Sequence, residues 1–401
     1  MKIVSINTVT NNSTGRIMHM IQRSANDKGN ETLAIVGRRK VYEDLPCVKC
    51  GNGISFWIHV AITTAFDRQG YGSYFSTRKI VKRLRKENPD IIHLHNIHGY
   101  YINLPVLFKY LTEEFAGRVI WTFHDCWPVT GHCPHFVIAK CDKWKSGCYS
   151  CPNKGQYPIS LLMDSSKRNY TDKKSMFTSL KDLTIATPSE WMADQIRVSY
   201  MKDYPIKVIP NGIDTELFDY NGIKENHDEI CSAFGIPADK KIILGVASQW
   251  DMRKGLKDIM DLTGILPEEY QIVLVGLNKK QLALLPKNIT GVTKVKGASD
   301  IAKLYSAAAV FINPSMEESF SLVTVEAQCC GTPTVVLDTS AVKELVNDDN
   351  GVVLHRHEPQ DYLDAIRTIE GRNYSRETVR NTAVKYNNQN MTDMYLKLYY
   401  E

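Results

Sequence analysis

Short apolar runs and longer stretches of helical periodicity alternate along this chain in two successive series. In the first, runs at 2–6, 32–36, 91–94, 119–123, 183–186 and 207–209 read as strands, separated by segments whose apolar residues recur at helical spacing. This alternation predicts a doubly wound parallel sheet. After a polar stretch at 215–240 the rhythm restarts, with runs at 242–246, 272–275, 310–312, 334–337 and 352–354 and helical segments such as 256–265 and 301–308. The final stretch, 375–400, is polar and helix-compatible, and Met391, Met394, Tyr395 and Leu398 give it a partial apolar stripe. The expected fold class is α/β, with two Rossmann-like doubly wound domains, 1–212 and 213–374, facing across a cleft. Residues 375–401 are expected to form a helix packing back on the first domain.

In open α/β sheets, ligands lie beyond the carboxyl ends of the strands, so chemistry is sought in the segments that leave them. The richest such segment is 310–328, where an apolar strand is stopped by Asn313-Pro314 and a helix begins near Leu322. Ser315, Ser319 and Ser321 supply capping-type side chains, and Glu318 and Glu326 place carboxylates on either side of the helix start. A helix N-terminus attracts phosphate, and a carboxylate accepts hydrogen bonds from vicinal hydroxyls. Together they suggest a nucleotide sugar. Taken alone, such a glutamate pair is more often a cap and a solvated side chain.

Other strand ends add candidates. Gly15 lies in the loop 11–16 after the first strand, where the lack of a Cβ permits close approach to a ligand, although the G-x-G-x-x-G spacing of a dinucleotide site is missing. His124 ends the run 119–123, with Asp125 beside it to set the imidazole tautomer, while His93 and His95 alternate within a strand and point partly to the core. In the second series Ser248, Arg253 and Lys254 occupy the segment between a strand and the helix that follows Gly255. Two cations there suit a departing diphosphate where no metal motif is present.

Composition narrows the choices. The chain has 401 residues, 43% hydrophobic and 23% charged, with a formal net charge of +5. That charge suits anionic substrates or an acidic membrane surface but is too small to indicate nucleic acid. The start of the chain reads as a strand and has no signal-peptide pattern, so a cytoplasmic location is expected, with peripheral contact at the inner face of the membrane as a possible addition. The run 54–66 is too short to span a bilayer and reads as a buried or interfacial helix. The basic run from Arg78 to Lys86 is interleaved with Ile80, Val81 and Leu84, as in a helix with one buried face that is solvated or skims a membrane.

With these residues in view, the chain resembles GT-B-fold retaining glycosyltransferases of family four, over essentially its whole length. The resemblance is carried by the E-x7-E element Glu318 to Glu326, by Pro210-Asn211-Gly212-Ile213-Asp214, and by Gly331 to Val335 with Glu344-Leu345-Val346. The segment 91–104 and His124-Asp125-Cys126-Trp127 are similar to the exopolysaccharide and colanic-acid-type branch. The resemblance implies transfer of a sugar from a nucleotide-sugar donor to a glycan or lipid-linked glycan, with retention of configuration, no catalytic cofactor and no nucleic-acid partner. It assigns Glu318 to donor-sugar hydroxyls, Glu326 to the ribose, the backbone around Ser319, Phe320, Ser321 and Leu322 to the sugar or diphosphate, Lys254 with Arg253 to the diphosphate, and His124 to the sugar. One departure matters: many members carry an arginine where this chain has Ser248. A catalytically weak nucleotide-sugar-binding regulator is therefore the alternative. A second departure replaces the glycines that often flank the phenylalanine with Ser319 and Ser321.

Ten cysteines in a chain expected to be cytoplasmic argue against a disulfide scaffold. Cys133, Cys141, Cys148 and Cys151 crowd one segment, and Cys148-x2-Cys151 has metal-type spacing. A closed structural zinc site and a set of free buried thiols are the two readings.

Overall fold

The computed structural model describes every residue except Asn12, 39–42 and Lys294. The chain divides into two units: Met1–Pro210 with Met391–Glu401, and Asn211–Asn390.

The first unit holds a parallel sheet of seven strands: β1 (Lys2–Asn7), β2 (Glu31–Val36), β3 (Cys47–Lys49), β4 (Ile91–Leu94), β5 (Arg118–Thr122), β6 (Leu183–Thr187) and β7 (Ile206–Val208), in the order β3-β2-β1-β4-β5-β6-β7. The second holds six: β8 (Lys241–Val246), β9 (Tyr270–Val275), β10 (Ile289–Val292), β11 (Val310–Asn313), β12 (Thr334–Leu337) and β13 (Gly351–Leu354), in the order β10-β9-β8-β11-β12-β13. Central strands are buried on both faces, as parallel sheets covered by helices require, and this is why they read as continuous apolar runs. Two strands are additional to the sequence reading, β3 and β10, and both lie at a sheet edge. Each is half-exposed for part of its length, so neither shows an uninterrupted apolar run.

Each sheet reverses its strand order at one place, between β1 and β4 in the first unit and between β8 and β11 in the second. At such a switch point the outgoing connections diverge to opposite faces and leave a crevice beyond the strand ends. The loops leaving β8 and β11 carry Lys254 and Glu318.

The last helix, Asn388–Tyr400, returns to the first unit from Met391 onward. Met391, Tyr395 and Leu398 are buried there, with Leu396 and Tyr399, whereas Met394 is exposed and does not belong to the stripe. Tyr399 and Tyr395 make polar contacts too: the Tyr399 hydroxyl lies 2.7 Å from His93 Nδ1, and that of Tyr395 lies 3.0 Å from Thr122 Oγ1. The preceding helix, Arg376–Ala383, stays with the second unit, so only 391–401 of the stretch 375–401 joins the first. Arg380 holds it there by donating to the carbonyls of Cys329 and Phe218.

Candidate active site

In the second unit, the loops leaving β8 and β11 are bound together through their backbones. Met316 N donates to Arg253 O at 2.8 Å, and the Arg253 guanidinium returns a bond to Glu317 O at 3.1 Å. Gly255 has φ +70° and lies so close to Pro314 that a Cβ would sit 2.3 Å from its carbonyl oxygen, so the turn requires glycine on both counts. The single turn Met252–Lys254 is capped by Asp251, which accepts from Lys254 N at 3.0 Å. These contacts aim the Lys254 ammonium at Glu318 Oε1, and the two side chains form an ion pair. Glu318 is fixed from its other side, where its N–H donates to Ser340 Oγ at 2.9 Å. Burial opposes ionisation of this carboxyl, but Lys254, Arg253 and Ser315 outweigh it and hold the group below the usual glutamate range.

The helix Leu322–Cys329 starts from Ser321, whose backbone is strained at φ 118°, ψ 86°. Of the serines expected to cap this helix, Ser321 does not: its side chain makes no capping bond. Its hydroxyl accepts from Asn313 Nδ2 at 2.9 Å and lies 3.0 Å from Thr324 Oγ1, while Asn313 Nδ2 also donates to Thr324 at 3.0 Å. Those bonds hold the strained residue in place and keep its hydroxyl off the helix's first N–H groups, a setting that suits an anion. Phe320 is buried against Tyr386, which anchors the loop; Ser319 and Leu322 are half-buried beside it, and Ser248 is exposed after β8. Further along the helix, Glu326 Oε2 accepts from the hydroxyl of Tyr305 at 3.2 Å. Tyr305 is fully buried on the helix Ala298–Ala307, and burial together with the neighbouring Glu326 raises its pKa, so it stays a neutral donor. Sequence reasoning missed Tyr305 and Ser340. Tyr305 falls in a helical segment that reads as core, and no local pattern marks a core tyrosine as a partner of a carboxylate 21 residues away.

In the first unit, the start of the helix Ser13–Asp27 packs on its own approach loop: a Cβ on Gly15 would lie 2.3 Å from Thr10 C. Asn12 of that loop lies outside the described residues. Asn7, at the end of β1, accepts from Thr8 N and Asn96 N, which ties the loops leaving β1 and β4 together. His124 ends at a different partner from the one expected. Its Nε2 lies 3.0 Å from His95 Nδ1, whereas Asp125 pairs with His98 at 2.8 Å and accepts from Trp127 N at 2.9 Å. Asp125 therefore orients His98, and His95 orients His124. Burial lowers the His124 pKa to about 4, against the opposing charge of Asp125, so its imidazole is neutral near pH 7. His93 and His95 are both buried, and burial favours their neutral forms as well.

Cys133, Cys141, Cys148 and Cys151 line one small cavity with Phe136, Trp144 and other neighbours. Gly131 N donates to Cys148 Sγ at 3.1 Å, burial raises the Cys148 thiol to about 11, and Cys151 is raised by its contact with Cys133 and by burial. Among the described residues, no group of three or more His, Cys, Asp or Glu side chains is placed to hold a metal ion. All four nevertheless border the same cavity, Cys133 and Cys151 in direct contact.

Residues 37–217 match the family described as Glycosyltransferase Family 4, and residues 227–386 match Glycosyl transferases group 1. The chain is a glycosyltransferase with a Family 4 domain followed by a group 1 domain. Among its relatives is WcaC of Escherichia coli K12, named for colanic acid biosynthesis as a glycosyl transferase, which is 23% identical over 361 residues, 85% of this chain and 83% of that protein. D-inositol 3-phosphate glycosyltransferase of Xylanimonas cellulosilytica is 29% identical over 209 residues, 48% of this chain and 50% of its own length. Solved structures share the fold: sucrose-phosphate synthase of Thermosynechococcus elongatus superposes with TM-score 0.74 at 17% identity, covering 100% of this chain and 98% of that one. Anabaena HepE in complex with UDP gives TM-score 0.70 at 15% identity, covering both chains completely. This glycosyltransferase therefore has the GT-B arrangement of two parallel-sheet α/β domains, and no helix among the described residues is long and apolar enough to cross a membrane.

Proposed function

We propose that this glycosyltransferase takes a sugar from a nucleoside diphosphate donor and passes it, with retention of configuration and without a catalytic metal, to a glycan or lipid-linked glycan of a surface polysaccharide. The observation that carries the reading is the Lys254–Glu318 ion pair at the switch point of the second sheet, beside a helix start that Ser321 does not cap and with Glu326 further along that helix. Lys254, Arg253 and the helix N-terminus take the diphosphate, Glu318 the sugar hydroxyls and Glu326 the ribose. The anomeric carbon breaks its bond to the leaving phosphate oxygen as the acceptor oxygen bonds to the same face. The acceptor's proton passes to that phosphate oxygen, so neither glutamate serves as general base. The cations stabilise the charge that develops on the diphosphate. His124 is assigned to a sugar hydroxyl as a neutral hydrogen-bonding group, in keeping with its low pKa. UDP is the first nucleotide to test, because HepE was solved with it.

A thermal-shift panel of nucleoside diphosphates and their sugars tests the donor reading. One base should raise Tm in a concentration-dependent way, and Lys254→Met and Glu326→Ala should each weaken that shift. No stabilisation by any member would overturn it. Metal analysis of protein purified without added zinc decides the role of the cysteine cavity: about one zinc per chain requires the four sulfurs to close around the ion, and none leaves them as thiols.

A further inference from the structure

The helix Gly53–Phe66 is inverted relative to an ordinary surface helix. Its buried residues are the polar His59 and Thr63, while Ile54, Trp57 and Ile58 face outward with exposures of 77%, 68% and 54%. Spacing of three and four residues puts these three on one stripe. His59 accounts for the inversion. Its Nε2 accepts from Gly70 N at 2.9 Å and its Nδ1 lies 3.0 Å from Ser73 Oγ, so the helix is locked by polar contacts to the turn that leads into the next helix, Tyr74–Glu87. That second helix begins with exposed Phe75, and the two enclose an apolar groove of about 360 Å³ lined by Ile54, Ile58, Ile62, Tyr74 and Phe75. Leu161 and Met163 donate backbone bonds to Thr64 O and Ala65 O, which places exposed Leu161 and Leu162 at the far end of the same helix.

Beyond Phe75, the outward face of the second helix changes character and carries Arg78, Lys79, Lys82 and Lys86. Its other face buries Ile80, Val81 and Leu84. Lys79, Lys82 and Lys86 make no salt bridge among the described residues, whereas Arg83 and Arg85 are paired with Glu87 and Glu114. An apolar stripe with an exposed tryptophan, continuing into a row of unpaired cations, matches the layering of a membrane interface: acyl chains, then an anionic headgroup region. A soluble protein partner would not by itself require both layers in that order.

We propose that the outward faces of helices Gly53–Phe66 and Tyr74–Glu87, with Leu161 and Leu162, dock on an anionic lipid bilayer. Ile54, Trp57, Phe75 and Leu162 enter the acyl boundary, and Lys79, Lys82 and Lys86 meet the phosphates. This deepens the reading of a lipid-linked acceptor, since it brings the enzyme to the surface where such an acceptor resides, and it rests on that reading only for its biological sense.

The test is sedimentation of the full chain with vesicles of phosphatidylcholine alone or mixed with phosphatidylglycerol, at low and high salt. The wild type should sediment with the mixed vesicles, less so at high salt. Lys79→Glu with Lys82→Glu should lower the bound fraction roughly tenfold or more at low salt, and Trp57→Ser with Phe75→Ser should lower it at both salts. All four positions are exposed, so both variants should keep the wild-type Tm and the wild-type thermal shift with nucleotide. No binding of the wild type, or binding that neither variant weakens, would overturn the proposal. So would a concentration-dependent dimer that Trp57→Ser with Phe75→Ser dissolves, since a second copy would then cover the patch. A failed donor reading would instead appear as a wild type without any nucleotide shift, with vesicle binding intact.

Discussion

Replacing Lys254 by methionine separates the structural from the catalytic share of the Lys254–Glu318 pair. The two side chains are 16% and 14% exposed, so the variant strands a carboxylate that is mostly out of water. Stranding a fully buried charge costs about 3–5 kcal/mol. Here both groups keep some solvent and Arg253 still acts on Glu318, so the expected loss in urea unfolding at pH 7 is about 1–3 kcal/mol. Turnover should fall by about 10²–10³, the usual effect of removing one preorganised donor from a developing charge. The double variant Lys254→Met, Glu318→Gln removes the stranded charge and should return to within about 1 kcal/mol of wild-type stability, yet its turnover should be no better than that of the single variant. The pH dependence has a definite sign. Glu318 is held below the usual range, so its pairing stabilises the fold above about pH 4 and is lost as pH falls through the folded value. The stability gap between wild type and Lys254→Met should therefore narrow below that pH. A Lys254→Met enzyme that loses stability but keeps kcat within about threefold, or a double variant that regains turnover, would show that the lysine only neutralises Glu318.

Ser321→Gly should relieve about 1–3 kcal/mol of backbone strain while losing the hydroxyl contacts to Asn313 and Thr324, leaving unfolding free energy within about 1 kcal/mol of wild type; Ser321→Ala keeps the strain and should be clearly less stable, and equal stability of the two would refute the strain argument. Tyr305→Phe removes one bond to Glu326 and should raise donor KM roughly two- to tenfold with kcat nearly unchanged; a fall in kcat at constant KM would take Glu326 away from donor binding. Lys173 is buried on the helix Ser166–Phe177, donates to Trp127 O and Thr130 O, and is lowered by burial to about 7. The unfolded chain binds its proton up to about pH 10, so the wild type should gain stability relative to Lys173→Met as pH rises from about 7 toward that value, and parallel curves for the two proteins would refute the depressed pKa.

What was legible in the sequence is what depends on neighbours along the chain. The central strands β1, β4, β8, β9 and β11 announce themselves because burial on both faces demands mostly apolar residues, whereas β3 (Cys-Val-Lys) and β10 (Ile-Thr-Gly-Val) escape because neither holds more than two consecutive apolar residues. Glu318 and Lys254 stand out in the sequence because each lies in a loop that leaves a strand, where a parallel sheet places its ligands. Their mutual pairing was not legible: it joins residues 64 apart through two loops whose approach depends on Gly255 against Pro314. The same limit explains His124. Asp125 is its sequence neighbour, but adjacent side chains at the end of a strand diverge to opposite sides, and the imidazole finds His95, on the adjacent strand end, instead. The helix Gly53–Phe66 shows the limit most sharply. Its composition reads equally as core or interface, and it is long-range contacts, foremost the bonds of His59 to Gly70 and Ser73, that turn the polar side inward and the apolar side outward. Those contacts thus convert a segment that hydropathy would assign to the core into a surface that demands a nonaqueous neighbour. His59→Leu should consequently free the helix to turn its apolar stripe inward, with loss of Trp57 exposure to a soluble quencher, and unchanged quenching would show that the rest of the packing fixes the helix without it.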